Sequence, residues 1–391
     1  MSTPSVFIVG GGPAGAAAAL ALARRGLSPV VLEAQPKPRT KVGECLPPGA
    51  NALLGALGLT ERMRRAGHLP SHGNRFLWGS DAPAERDFIY GTGGAGWRLD
   101  RRVFEEELAG AAVEAGADWR CGYRLGECSR DGLGSWRLEV SGPRGAKTFR
   151  ADFVVDASGR ASRLSRLLGA RRVTYDRLVG VAAYFEPRAG GETRAFGANE
   201  DSFTLVEAVK SGWWYSAWLP GEKLIAVYMT DGDLLDRAAA RTAGGWLALL
   251  GEAEHTARRA ADGGGVRPTP PRVLPAHTSR LTKVAGAGWL AVGDAAVAHD
   301  PLASHGITMA LGAGLHAASA VADYLGGRGD ALDAYAALID RSFANYLLMR
   351  HERYLAERRW PHEPFWRRRH APGTAGGRPG ALFTARAGRE R

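Results

Sequence analysis

The sequence predicts an α/β fold in which a parallel sheet carries an inserted antiparallel sheet and a helical segment closes the chain. Three observations lead there. A glycine-rich turn, Gly10 to Gly15, separates a strand-like run from an alanine-rich helical run. Aromatic, β-branched runs fill residues 178–230. Helical periodicity then returns near residue 306 and persists to the arginine pair at 358–359.

The elements follow in order. SVFIVG reads as a strand, residues 16–25 as a helix, and Pro29 to Leu32 as a strand ending at Glu33, together a βαβ unit. Gly10, Gly12 and Gly15 fit G-x-G-x-x-G, with Pro13 and Ala14 opening the helix. The first glycine permits the sharp turn, the second admits a diphosphate to the backbone, and the third lets helix and strand pack closely. The helix N-terminus then offers free N–H groups to the phosphates, and Glu33 stands where a carboxylate can bind both hydroxyls of a ribose. A dinucleotide is the expected ligand of this unit.

A short helix follows residue 58, and a longer one begins after Asp100, a plausible N-cap. Short strands with Gly turns occupy 119–155, helix returns near 242–261, and a Pro-rich connector leads to the strand GWLAVGDAA. The last helices run over 306–325 and from Asp330, the expected cap, onward.

Two further strand-end motifs specify the dinucleotide. DFVVDASGR places Asp156 and Gly159 after a hydrophobic strand, and GDAAVAHDPLASHGI places Asp294, Pro301, Gly306 and Ile307 around another. Asp294 suits the ribityl hydroxyls of a flavin, and a helix opening at Gly306 aims its positive end at the flavin ring. Three glycine-and-acid turns at three strand ends suit FAD. The reading is a Rossmann-like FAD-binding domain with an inserted antiparallel β-sheet substrate domain and a C-terminal helical segment.

With these motifs, KVGECLPP (41–48), LPSHGNRFLWGS, GWWYSAWLP and ERRWPHEPFWRRR, the chain resembles FAD-dependent monooxygenases of the aromatic-hydroxylase superfamily. It is most similar to their tryptophan-halogenase-like branch, and within it to flavoproteins that hydroxylate peptidyl tryptophan during quinone-cofactor maturation. The resemblance implies hydroxylation of an electron-rich aromatic ring, indole or tryptophan, free or on a peptide. The oxygen would come from O2 through a flavin C4a-hydroperoxide, with NADH or NADPH as reductant. It adds Glu44 and Arg101 to the cofactor contacts, Arg101 toward the diphosphate or ribose. By their positions beside the expected flavin helix, loop and strand, His72, His305, Pro301 and Tyr215 are the catalytic candidates and Asn74, Trp213 and Tyr215 the substrate-binding ones, with no metal.

Individual residues carry bland readings beside these. On an alternating strand Trp213 and Tyr215 point opposite to Trp214 and Trp218, and core packing also explains such a cluster. Each histidine also fits a structural or solvated role, and Cys45 fits simple packing. Halogenases of this branch carry a lysine where this chain has His72-Gly73-Asn74-Arg75, so halogenation is disfavoured. Thr308 stands where phenol hydroxylases usually have asparagine. The rival readings are a flavin-dependent halogenase, a geranylgeranyl-reductase-like alkene reductase, and a flavin-bearing peptide-delivery factor.

The expected FAD-binding domain spans 1–75, 98–172 and 270–326, the substrate domain 76–97 and 173–269, and the helical segment 327–372. A basic tail, 373–391, completes the chain. The net charge of +11 is uneven: residues 353–391 hold ten arginines against three glutamates. That tail fits a solvated end or a dock for an acidic partner. Three cysteines at spacings that fit neither a zinc site nor a disulfide framework, and no apolar run long enough to span a membrane, give a cytoplasmic expectation. The oligomeric state is left open.

Overall fold

The structure is a computed structural model that describes residues 4–132, 134–186, 201–262 and 267–371; the basic tail lies outside them. Six strands form the sheet that anchors the glycine turn, in the order 285–286, 289–291, 153–156, 5–9, 28–33, 118–121. All neighbours are parallel except the edge pair Ala285–Gly286 and Trp289–Ala291. Ser5–Val9 and Phe153–Asp156, buried on both faces, read as the near-continuous apolar runs that a sheet covered by helices requires.

Helices Pro13–Ala23 and Gly306–Leu325 cover one face of this sheet and pack on each other through small residues. A Cβ at Gly314 would lie 2.7 Å from the Ala14 carbonyl oxygen, so only glycine allows this approach. Gly314 meets Ala14 to Ala18, and the Arg25 guanidinium donates to Ser319 Oγ at 2.9 Å, so the two helices run in the same direction. Gly314 stands eight residues into its helix and its contacts at Ala14 to Ala18 centre about three residues into theirs, so the second helix begins about 7 Å ahead of the first, at 1.5 Å per residue.

The inserted sheet has eight strands and is antiparallel but for one junction, where Phe203–Val209 pairs in parallel with Gly73–Leu77. Gly73–Leu77 thus straddles the boundary expected at residue 75. Alternation gives this sheet two buried faces. Trp214 and Trp218 enter a core with Trp246 and Phe185, while Trp213 and Tyr215 face the rest of the molecule.

The C-terminal helices are integral to the body. Ala331–Leu355 contributes Leu332, Tyr335, Phe343 and Tyr346 to the cores around the parallel sheet. Pro364–His370 seats Phe365 and Trp366, both fully buried, against the inner face of the inserted sheet, with Trp366 Nε1 donating to the Val209 carbonyl at 2.9 Å. Asp100 caps the helix Arg101–Glu114 as expected, accepting from the N–H groups of Arg102 and Val103. Asp330 does not cap: its carboxylate pairs with Arg328 instead, at 2.8 Å. Among the described residues, no helix is long and apolar enough to cross a membrane.

Candidate flavin site

The glycine turn folds as its spacing requires. Gly10 adopts φ 109°, and a Cβ there would lie 2.3 Å from the Ala157 carbonyl oxygen, so the first turn presses on the one after Phe153–Asp156. At Gly15 a Cβ would lie 2.0 Å from the Gly10 carbonyl oxygen. Gly12 differs: nothing of the protein lies within 4 Å of a Cβ built on it, nor on Gly159 or Gly306. These three glycines border open space.

Two helix N-termini meet that space. Gly12 and His305 are the N-caps of the helices that follow them, and neither helix has a side-chain cap. Their first-turn N–H groups and positive dipole ends are left for a ligand. Pro13 at the first helical position has no N–H to satisfy, and Ala14 is nearly buried against Gly293. Glu33 accepts from the Gly11 N–H and the Gln35 N–H, both at 2.7 Å, which fixes its carboxylate beside the turn.

Asp294 lies in a cleft, 40% exposed, with the Arg160 Nε 3.5 Å from its carboxylate. The cleft walls push its carboxyl pKa upward, and the charges of Arg160, Arg172 and Arg101 oppose that. Arg172 ties the backbone here by donating to the carbonyls of Asp294 and Ala295 at 2.7 and 2.9 Å. Pro301 opens a single helical turn capped by Asp300, and Ile307 packs on the apolar core at the start of the second helix.

Several expected contacts take a different form. Asp156 is fully buried, and its two carboxylate oxygens accept four bonds, from Ser158 N and Oγ and from Ser165 N and Oγ. It shapes the turn from within and shows no surface to a bound molecule. Arg101 donates to the Val42 and Gly43 carbonyls, both at 3.0 Å, and to Glu105 at 2.7 Å, so it braces the loop before Glu44. Its Nε is buried without a partner, as is Thr308 Oγ1 in the first turn of the second helix.

The inner face of the inserted sheet, against which Leu302 of the Pro301 turn packs, presents a transverse row: Phe76, Val206, Tyr215, Val227 and Ala182 pair across five neighbouring strands. Glu44 reaches this face from the loop at 41–44 and is almost wholly buried. Tyr184 donates to it at 2.5 Å, Tyr215 at 3.4 Å and the Gly43 N–H at 2.8 Å. Burial raises the Glu44 pKa, which these donors only partly offset. Tyr184 had no motif to mark it in the sequence; only strand register brings it here. Cys45, beside Glu44, accepts from Thr204 Oγ1 at 3.4 Å, and burial raises its thiol pKa to about 11, which leaves it a protonated packing group.

The remaining candidates divide. Asn74 pairs with Thr204 in register and shares that residue's face, beside Cys45. His72 is exposed and contributes through its backbone, which bonds Ser202 and Phe88. His305 is half-buried at the helix start, its pKa lowered by burial and then by the Arg353 charge. Trp213 is enclosed: it is 1% exposed, Nε1 donates to the Tyr354 hydroxyl at 3.1 Å, and Trp78 packs edge-on. It shares the face of Tyr215, but the C-terminal helices cover that end of the sheet, so Trp213 backs the row and does not line open space as a substrate-binding residue would.

The sequence matches the FAD binding domain family over residues 3–344. The chain belongs to that family. The FAD-dependent oxidoreductase LodB of Marinomonas mediterranea is 32% identical over 378 residues, 95% of this chain and 98% of that protein. The flavin-dependent halogenase armH3 of Armillaria mellea is 27% identical over 81% of this chain and 67% of its own length. Among solved structures, the myxobacterial chondrochloren halogenase CndH superposes with a TM-score of 0.82 at 23% identity, over 94% of this chain and 86% of that one. The peptidyl tryptophan dihydroxylase QhpG superposes at 0.74 and 23%, over 94% and 79%. These likenesses bear out the fold class and the flavin-dependent oxidoreductase, and they place halogenases and hydroxylases on one scaffold.

FAD fits what the chain presents. Two uncapped helix ends, one set about 7 Å ahead of the other, suit a cofactor that carries both a diphosphate and a ring, and the three open glycines leave it room. The unpaired Arg101 Nε and Thr308 Oγ1 are buried polar atoms of the kind a bound group satisfies.

Proposed function

We propose that this protein is an FAD-dependent monooxygenase that hydroxylates an electron-rich aromatic ring, indole or tryptophan, free or within a peptide, with NADH or NADPH as the ultimate reductant. The observation that carries the reading is the row Phe76, Val206, Tyr215, Val227, whose face packs with Leu302 of the Pro301 turn and with Val42, and has buried Glu44 bonded to Tyr184 and Tyr215 at its edge. A flat apolar ring is complementary to that wall.

The residues that would hold FAD are the backbone at Gly10, Gly12 and Gly15, the side chains of Glu33 and Asp294, and the helix start at Gly306 and Ile307. Bound FAD, once reduced, supplies the activated oxygen. The chain's own residues supply the rest. Tyr215 and Trp213 behind it fix the wall; Pro301 and the Ser304–His305 turn close the ring end of the cleft and exclude water. Glu44, held by two phenols and a backbone N–H, draws the Tyr215 hydroxyl to itself and so fixes the plane of the Tyr215 ring in the row. Holding the ring within about 3–3.5 Å of the reacting oxygen is the main contribution such a site makes.

Hydroxylation is favoured over halogenation by one feature of the site. No lysine lies in the row beside Glu44: Lys41, the nearest in sequence, is tied to Glu105 at 2.6 Å, Arg75 is turned away to Glu85 at 2.7 Å, and Lys223, on the inner face by register, stands at the exposed strand end 3.5 Å from Glu186. The test is a product analysis. FAD-loaded protein, a reductant, dioxygen, bromide and a panel of tryptophan peptides should yield a gain of one oxygen atom; a brominated product would overturn the reading.

A further inference from the structure

A cavity of about 330 Å³ lies away from the glycine turn, where the two C-terminal helices meet the strand ends at Leu178 and Asp231. Its chemistry is unusual for a packing seam. Four guanidiniums line it, Arg177, Arg350, Arg368 and Arg369, against two lining carboxylates, Asp176 and Asp231. Tyr175 and Tyr354 form its aromatic walls.

The cations are held at two depths. Arg350 and Arg369 are the floor, 8% and 5% exposed, and Arg177 and Arg368 stand at the mouth, their side chains 69% and 38% exposed. Arg350 uses Nε on Asp300 at 3.2 Å and one terminal nitrogen on Asp176 at 2.8 Å. Arg369 grips Asp231 with both terminal nitrogens while its Nε is buried without a partner. Arg177 and Arg368 share Asp233 at the rim. Asp176, Asp231, Asp233 and Asp300 fix the four guanidiniums in place, so the cavity offers preorganised N–H donors on a charge-balanced frame, with Arg369 Nε left unpartnered.

From this we propose that the cavity binds a small molecule bearing several anionic oxygens, phosphate or carboxylate. Preorganised guanidinium forks match such oxygens in pairs, and partial burial strengthens each contact. The site is wired to the flavin cleft. Asp300, which receives Arg350 and the Tyr354 hydroxyl at 2.8 Å, also caps the turn at Pro301 through the Leu302 N–H. A ligand that draws Arg350 toward itself therefore acts on the turn that closes the ring end of the cleft.

The test uses full-length, FAD-loaded protein titrated calorimetrically with pyrophosphate and, separately, with citrate at low ionic strength. Saturable one-to-one binding is expected with at least one probe, and which probe binds tells phosphate from carboxylate recognition. Arg177→Gln, a surface change that leaves Asp233 paired with Arg368, should weaken binding by about ten-fold, the loss of one charge-assisted contact. Arg368→Gln should do the same, and flavin absorbance should shift on ligand addition in the parent protein. Heat that does not saturate, or binding that both variants leave unchanged, would overturn the proposal.

Discussion

Two substitutions one turn apart should have opposite consequences. At Gly12 the backbone is extended, φ −70° and ψ −178°, a conformation alanine adopts freely, and no protein atom lies within 4 Å of the new methyl. Gly12→Ala should leave the fold within about 1 kcal/mol of the parent, because reduced unfolded-chain entropy offsets the poorer N-cap. The same methyl fills the side on which a diphosphate would meet the helix end. Displacing the phosphates costs one or two charge-assisted hydrogen bonds, so FAD affinity should fall by about ten-fold or more. Gly15→Ala drives a methyl to 2.0 Å from the Gly10 carbonyl oxygen, far inside contact distance, and helix and strand must separate. That should destabilise the apoprotein by about 3 kcal/mol or more. Urea denaturation of the apoproteins and fluorescence titration with FAD read the two effects apart. Unchanged FAD affinity in Gly12→Ala would refute the placement of the diphosphate, and parent-like stability in Gly15→Ala would refute the close approach.

Other outcomes follow from the same geometry. Asp156→Ala strands the buried Ser165 N–H and the half-buried Ser158 N–H and should cost about 3 kcal/mol or more in urea denaturation. Tyr184→Phe removes the 2.5 Å bond to Glu44 and should lower product formed per dioxygen consumed by about ten-fold, with FAD binding retained, read by oxygen electrode and product quantification. His299 is half-buried, its ring edge-on to Tyr346, and desolvation there lowers its pKa to about 4. The unfolded chain binds this proton more readily, so the stability it contributes is fully present above pH 6.5 and is lost as pH falls toward 4. His299→Gln should flatten that part of the stability–pH curve, measured by urea denaturation across the range.

Much of the flavin cradle was legible because it is local. The G-x-G-x-x-G turn, the strand ends at Glu33 and Asp156, and the helix starts at Pro13 and Gly306 each declare themselves within a few residues. What was not legible is long-range. Glu44, Tyr184 and Tyr215 meet across separations of 140 and 171 residues, and nothing near Tyr184 in the chain marks it. Alternation correctly put Trp213 and Tyr215 on one face, but whether that face is open depends on Phe365 and Trp366, which arrive from the far end of the chain and close it over Trp213. Asp156 shows a different limit: the motif identifies the residue, but only the positions of Ser158 and Ser165 reveal that its carboxylate is used up inside the turn.

The most direct test of the central claim is isotopic. FAD-loaded protein supplied with NADH or NADPH, and a flavin reductase where needed, should be given labelled dioxygen and tryptophan-containing peptides, with an anaerobic arm in parallel. The account predicts one labelled oxygen on the aromatic ring and no turnover without dioxygen. Oxygen consumption that leaves every aromatic substrate unlabelled, or turnover in the anaerobic arm, would contradict it.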